Sequence, residues 1–112
     1  VIRARLSLDA AGCIAAFTAS GHAGCAARGN DLVCAAFSTL ARTAYRSLEQ
    51  LPGIEIRGRA EKPGSLDFVV TSPAEDGSRA RGVADFFVVG LTDVARDFPD
   101  AVVVEIERIS EG

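Results

Sequence analysis

The stretch SGHAGCAARGNDLVCAAFS, Ser20 to Ser38, decides how the chain reads. Before it, apolar residues alternate with polar ones. After it, they recur at intervals of three and four. The stretch is therefore a junction between strand and helix. It holds the only His, His22, two of the three Cys, Cys25 and Cys34, and an Asn-Asp pair. Gly21, Gly24 and Gly29 permit backbone conformations that other residues resist, so Gly21 to Asn30 reads as a loop. A connector of that length is long for a small domain, and long loops often carry function. Asn30 or Asp31 caps the helix that follows by accepting a backbone N–H from its first turn.

Working outward, residues 2 to 8 alternate, with Ile2, Ala4, Leu6 and Leu8 on one face. Asp9-Ala10-Ala11-Gly12 reads as a turn. Cys13 to Ser20 alternates again, with Cys13, Ala15, Phe17 and Ala19 inward, so the two runs pair as an antiparallel hairpin. Cys13 reads as a small buried apolar residue. Downstream, Val33, Phe37, Leu40, Ala44, Leu48 and Leu51 form the core stripe of the first helix, which Pro52-Gly53 stops. Two more strands follow, carrying Ile54, Ile56 and Gly58, then Leu66, Phe68 and Val70. Glu61-Lys62-Pro63-Gly64 turns the chain between them. Opposite charges on their polar faces meet across the strands. Asp76 or Ser78 caps a second helix whose core stripe is Ala80, Val83, Ala84, Phe87, Leu91, Val94 and Phe98. Gly82 and Gly90 inside it suggest close approach to a neighbour, and Pro99 ends it. Val102, Val104 and Ile106 alternate in a last strand. The order is ββαββαβ. Alternation along most strands predicts a two-layer α+β fold, a mainly antiparallel sheet with both helices on one side. With 112 residues the chain is read as a single domain over 1–112.

The chemistry concentrates at the junction. Cys34, Ser38 and Tyr45 lie at the edge of the first helix's core stripe. A thiolate in the first turn of a helix is stabilised by unpaired N–H groups and the dipole, which lowers its pKa. An imidazole on the preceding loop can take the thiol proton, so His22 and Cys34 read as a nucleophile pair. Backbone N–H groups around Asn30 to Cys34 are candidates for an oxyanion hole. Ser38, four residues on, stacks on the same face and reaches the sulfur or a substrate carbonyl. Asp31 has two readings, a helix cap or a carboxylate that orients the imidazole. Two rivals stand beside catalysis. His22 and Cys25 have H-x-x-C spacing, and Asp31 with Cys34 would complete a mixed metal shell. A non-catalytic peptide-binding protein would use the same groove without an activated thiol.

The totals narrow the classes. A net charge of −3 and a pI near 5.1 argue against nucleic-acid binding by phosphate neutralisation. An odd number of Cys and no secretory opening suit free thiols in a reducing cytoplasm. No apolar run has the length of a membrane span. Phe86 and Val89 fall off the core stripe and, with the two helical glycines, suggest a homodimer contact or a peptide groove.

Gly21-His22-Ala23 followed by Gly29-Asn30-Asp31-Leu32-Val33-Cys34-Ala35-Ala36-Phe37-Ser38 resembles the signature of the bacterial ribosomal-processing cysteine proteases. The resemblance implies that His22 and Cys34 are the catalytic pair and that Asp31 and Ser38 sit beside them. Gly21, Ala23, Gly29 and Asn30 would then belong to the substrate-binding loop. It implies cytoplasmic cleavage of an N-terminal extension from the precursor of a large-subunit ribosomal protein, number twenty-seven, before ribosome assembly. No metal or organic cofactor is required. The substrate would be an extended peptide with apolar or aromatic residues before the cut, for which Ala23, Gly24, Ala26 and Ala27 leave room. Two departures stand out. Phe37 replaces an expected Val or Ile, and Cys25 is a thiol that the mechanism does not need.

Overall fold

Seven elements follow one another as β1 (Ile2–Leu8), β2 (Ile14–Ser20), α1 (Arg28–Glu49), β3 (Glu55–Lys62), β4 (Ser65–Ser72), α2 (Gly77–Asp97) and β5 (Val102–Arg108). The computed structural model describes residues 1–21, 28–62 and 65–109; over 28–31 and 60–62 it describes the backbone alone. The strands form one sheet in the order β3-β4-β2-β1-β5. Three pairings are antiparallel, and β1–β5 is parallel. The α+β class and the ββαββαβ order are thus as the periodicities predict.

The hydrophobic effect explains the layering. Ile2, Leu6, Phe17, Phe68 and Val102 of the sheet are buried against Val33, Phe37 and Leu48 of α1 and Ala84, Phe87 and Leu91 of α2. Phe17 is the hub. Its ring meets Phe87 edge-on at 5.0 Å, Phe68 at 5.6 Å and Phe37 at 6.3 Å between centroids. Phe37, the departure in the signature, is therefore a buried core ring rather than a surface substitution. The two helices meet where α2 has no side chain. A Cβ at Gly90 would sit 2.8 Å from both Leu40 methyl carbons, so glycine there lets the helices approach.

Several local readings need correction. β2 starts at Ile14, and Ile14, Phe17 and Ala19 are its buried residues, not Cys13 and Ala15. Ser7 pairs with Ala16 and Leu8 with Ile14, so Ala15 is an extra residue in a bulge that reverses the alternation. Cys13 is half-buried beyond the strand end, with its Sγ 3.6 Å from the Gly77 carbonyl. Glu61 and Lys62 belong to β3 rather than to a turn, and the rest of that reading, at 63–64, lies outside the described residues. Phe98 is not core: it caps the C-terminus of α2, donates its N–H to the Val94 carbonyl and is 43% exposed. Gly82 faces open space and makes no close approach. Asp76 is the N-cap of α2, as one of the two sequence readings has it.

The most consequential correction concerns α1. The helix begins at Arg28, so Gly29, Asn30 and Asp31 are its second to fourth residues and neither Asn30 nor Asp31 is the cap. Gly29 costs about 1 kcal/mol of helix stability, but the buried stripe from Val33 to Leu48 outweighs it.

Candidate active site

The topology fixes where the junction lies. β2 ends at the same pole of the sheet at which β4 begins, because Ala19 pairs with Leu66. β3 runs parallel to β2, so α1 descends from this pole to the other, where it feeds β3 through the turn at Leu51 to Gly53. Cys34, near the start of α1, is therefore at the pole where β2 and β3 end. Cys13 is at the opposite pole, in the β1–β2 turn.

Helical spacing puts Cys34, Ser38 and Tyr45 on one flank of α1. Cys34 and Ser38 are half-buried there, and Cys34 packs against the core. Tyr45, farther along the same flank, lies on Gly58 and meets Phe68 edge-on at 5.4 Å. That contact sets the flank toward β3 and β4. The opposite flank of α1 borders a shallow groove of about 510 Å³ lined by Ala35, Ala36, Thr39, Leu40, Thr43 and Phe86. Phe86 is 70% exposed at its rim.

Because α1 starts at Arg28, Cys34 is its seventh residue, in the second turn rather than the first. Its own N–H falls within the hydrogen-bonding reach of the Asn30 carbonyl. Within α1, amides without an intrahelical partner belong to Arg28 through Asn30, one turn upstream. Leu32 to Cys34 have their amides within reach of carbonyls one turn upstream, so α1 amides open to a ligand would be those of the first turn. His22 and Ala23 lie outside the described residues, as do Cys25 and the side chains of Asn30 and Asp31. Among the described residues no three His, Cys, Asp or Glu side chains form a metal-binding group. No helix among them is long and apolar enough to cross a membrane.

Gly21 is described, and its role is sharper than loop freedom. Its φ is +97°, and a Cβ there would run into the Val1 carbonyl oxygen. Glycine is required for β2 to leave the sheet beside the start of β1 and enter the His22 connection. The sequence signal for this is the Gly directly before His22.

Cys13 is built for the opposite behaviour. It lines a cavity of about 130 Å³ with Ile14, Leu48, Ile54, Val70 and Ala80. Burial pushes its thiol above the ordinary range. The Asp9 and Asp85 carboxylates push the same way, and Arg81 opposes them. It remains a protonated thiol at neutral pH.

The fold is a small α+β domain that carries a thiol on a helix flank, with a histidine in the sequence between β2 and that helix. The family model described as Cysteine protease Prp matches residues 1–103, so the chain belongs to that family and is a cysteine protease. No curated protein matches the chain. Among solved structures, SMU.848 from Streptococcus mutans is 27% identical, covers 97% of this chain and 96% of its own, and superposes with a TM-score of 0.77. An essential ribosomal processing protease Prp from Staphylococcus aureus, with a covalently linked product peptide, is 16% identical at a TM-score of 0.74. The same protein with a substrate peptide is 15% identical at 0.72; each of these two covers 95% of this chain and 99% of its own. At those identities the two share the fold.

Proposed function

We propose that this protease removes the N-terminal extension of a large-subunit ribosomal protein, number twenty-seven, before ribosome assembly. Cys34 is the nucleophile and His22 the general base. The carrying observation is the half-buried Cys34 on the α1 flank, at the pole where Gly21 delivers the chain into His22. Family membership supports it, as do the S. aureus relatives, described as ribosomal processing proteases and held with substrate and product peptides.

The Cys34 sulfur attacks the scissile carbonyl while His22 takes the thiol proton. The oxyanion is met by amides of the first turn of α1 and the connection before it. The intermediate collapses, His22 gives its proton to the leaving amine, and a thioester remains on Cys34. Water, deprotonated by His22, attacks the thioester carbonyl, and the thiolate leaves and is reprotonated. Asp31 orients the imidazole. Ser38, one turn below Cys34, steadies the sulfur or the substrate carbonyl. Gly21, Ala23, Gly29 and Asn30 frame the peptide. The enzyme works in the cytoplasm as a homodimer, a reading supported by the exposed Phe86, Val89, Val103 and Ile106.

The test is incubation with the host's precursor ribosomal protein followed by mass spectrometry. The expected result is loss of one N-terminal peptide with the wild type and none with Cys34→Ala. An intact precursor with active wild-type enzyme present overturns the reading.

A further inference from the structure

At the pole opposite Cys34 lies the cavity of about 130 Å³ that Cys13 lines, and the cleavage chemistry makes no use of it. The ends of β2, α1, β4 and α2 meet around it. Ile14 of β2, Leu48 of α1 and Ala80 of α2 are its buried floor. Ile54 and Val70 are half-buried walls. Two features keep the space open. The bulge at Ala15 takes Cys13 off the strand, and α2 offers only Ala80 here, where its deeper inward positions hold Phe87 and Leu91. An apolar cavity of ~150 Å³ stays dry and admits a benzene-sized ring, and this one is of that order. Its solvent side differs in character, because acceptors gather there. Asp9 is half-buried and Gly77 exposed on that side. The Asp9 Oδ1 accepts from the Ala11 and Cys13 N–H groups, each at 2.9 Å, so its carboxylate is held in place. The Gly77 carbonyl accepts from the Cys13 thiol at 3.6 Å. A carboxylate and a carbonyl keep accepting capacity beyond such contacts.

We propose that this cavity is a binding site for a small neutral aromatic molecule with one hydrogen-bond donor, a simple phenol in chemical class. The ring enters against Ile14, Leu48 and Ala80. The hydroxyl stays at the solvent side and donates to the Asp9 carboxylate or the Gly77 carbonyl. Three observations select this chemistry. The volume admits one ring and not two fused rings. The acceptors at the opening reward a donor, and the Asp9 charge opposes a carboxylate that would also lose its hydration on entry. The Cys13 sulfur on the wall favours the edge of an aromatic ring over a saturated chain. The ligand bridges elements far apart in sequence, so it stabilises the folded state by mass action. The site lies apart from Cys34 and is independent of the substrate reading.

The test is titration of the full chain with phenol, followed by amide chemical shifts and thermal melting, with benzoate as the anionic control. Saturable shifts are expected at Ile14, Val70 and Ala80, with a rise in Tm of about 5 °C at ten times the Kd. Benzoate should give neither at the same concentrations. Labelling locates the ligand. In a Cys25→Ser background at about pH 8, phenol at ten times its Kd should slow iodoacetamide labelling of Cys13 about tenfold and leave Cys34 labelling unchanged. Ala80→Leu fills the floor and should weaken phenol binding about tenfold or more. Absence of saturable shifts up to tens of millimolar phenol overturns the proposal. So does saturation that leaves Cys13 labelling unchanged, or a folded Ala80→Leu variant that binds phenol as before. Benzoate binding as tightly as phenol overturns the choice of a neutral donor. The titration and the labelling keep every cavity side chain native, so they decide the question even where Ala80→Leu fails to fold.

Discussion

Tyr45 of α1 lies flat enough on Gly58 of β3 that a Cβ at Gly58 would come within 2.5 Å of its Cε2 and 3.2 Å of the Phe68 Cβ. One missing methyl thus fixes how α1 is rotated on the sheet. The same rotation sets Ser38 and Cys34, about two and three helical turns up the same flank, toward β3 and β4.

Gly58→Val should therefore destabilise the protein by about 1–3 kcal/mol, since the added atoms overpack a closed contact. Strand propensity alone points the other way, because valine is favoured over glycine in a sheet. Urea unfolding decides between them, and unchanged or increased stability would show that the Tyr45 ring moves aside freely. The variant should also lose turnover in the part that remains folded.

Phe37→Val restores the smaller residue that the signature leads one to expect. Phe37 is 1% exposed against the Phe17 ring. The substitution should cost about 2 kcal/mol or more by leaving a cavity in this core. Calorimetry on the purified variant is the check, and a neutral result would mean the core closes around the smaller side chain.

Cys34→Ala should fold, because the side chain is half-buried at the edge of the stripe, and should bind peptide without cutting it. In a Cys25→Ser background, iodoacetamide at neutral pH should label Cys34 faster than Cys13. Cys13 labelling should accelerate only as pH rises beyond the ordinary thiol range, because burial and the Asp9 and Asp85 charges hold its proton. Peptide mapping over time and pH measures both. Faster labelling of Cys13 in the native protein would remove Cys34 from the nucleophile role.

His22→Ala should lower turnover by about a hundredfold or more, as loss of a general base does. Peptide affinity for the Cys34→Ala, His22→Ala double variant should stay close to that of Cys34→Ala. A loss confined to affinity would make His22 a binding residue.

Asp76 caps α2, accepting from the Ser78 hydroxyl at 2.7 Å, the Ser78 N–H at 3.1 Å and the Arg79 N–H at 3.3 Å. The Ser78 hydroxyl, then the Arg79 amide, hold its carboxyl below the usual range. A carboxyl depressed in the folded state contributes stability above its unfolded pKa, about 4, and loses it as pH falls through the lower folded value. Asp76→Ala should therefore lower Tm at pH 7, and its difference from wild type should shrink toward pH 2. Thermal melts across that range test it; a gap that persists at acid pH would assign the effect to backbone conformation rather than charge.

The sequence by itself determined the element order and the inward faces of most strands and narrowed the α2 cap to Asp76 or Ser78, because each depends on neighbours a few residues away. Helical and strand periods are local, and so is a side chain that closes its own turn. The tertiary structure decided what local pattern does not contain. The bulge at Ala15 moved Cys13 off the core face. Packing of Val33 to Leu48 carried α1 back to Arg28 and left Cys34 in its second turn. Of two helical glycines, Gly90 meets Leu40 and Gly82 meets nothing, although both look alike in sequence. The parallel pairing of β5 with β1 was equally hidden, since it joins residues a hundred positions apart. Such pairings are chosen by which surfaces the whole chain can bury together, and no single segment carries that information.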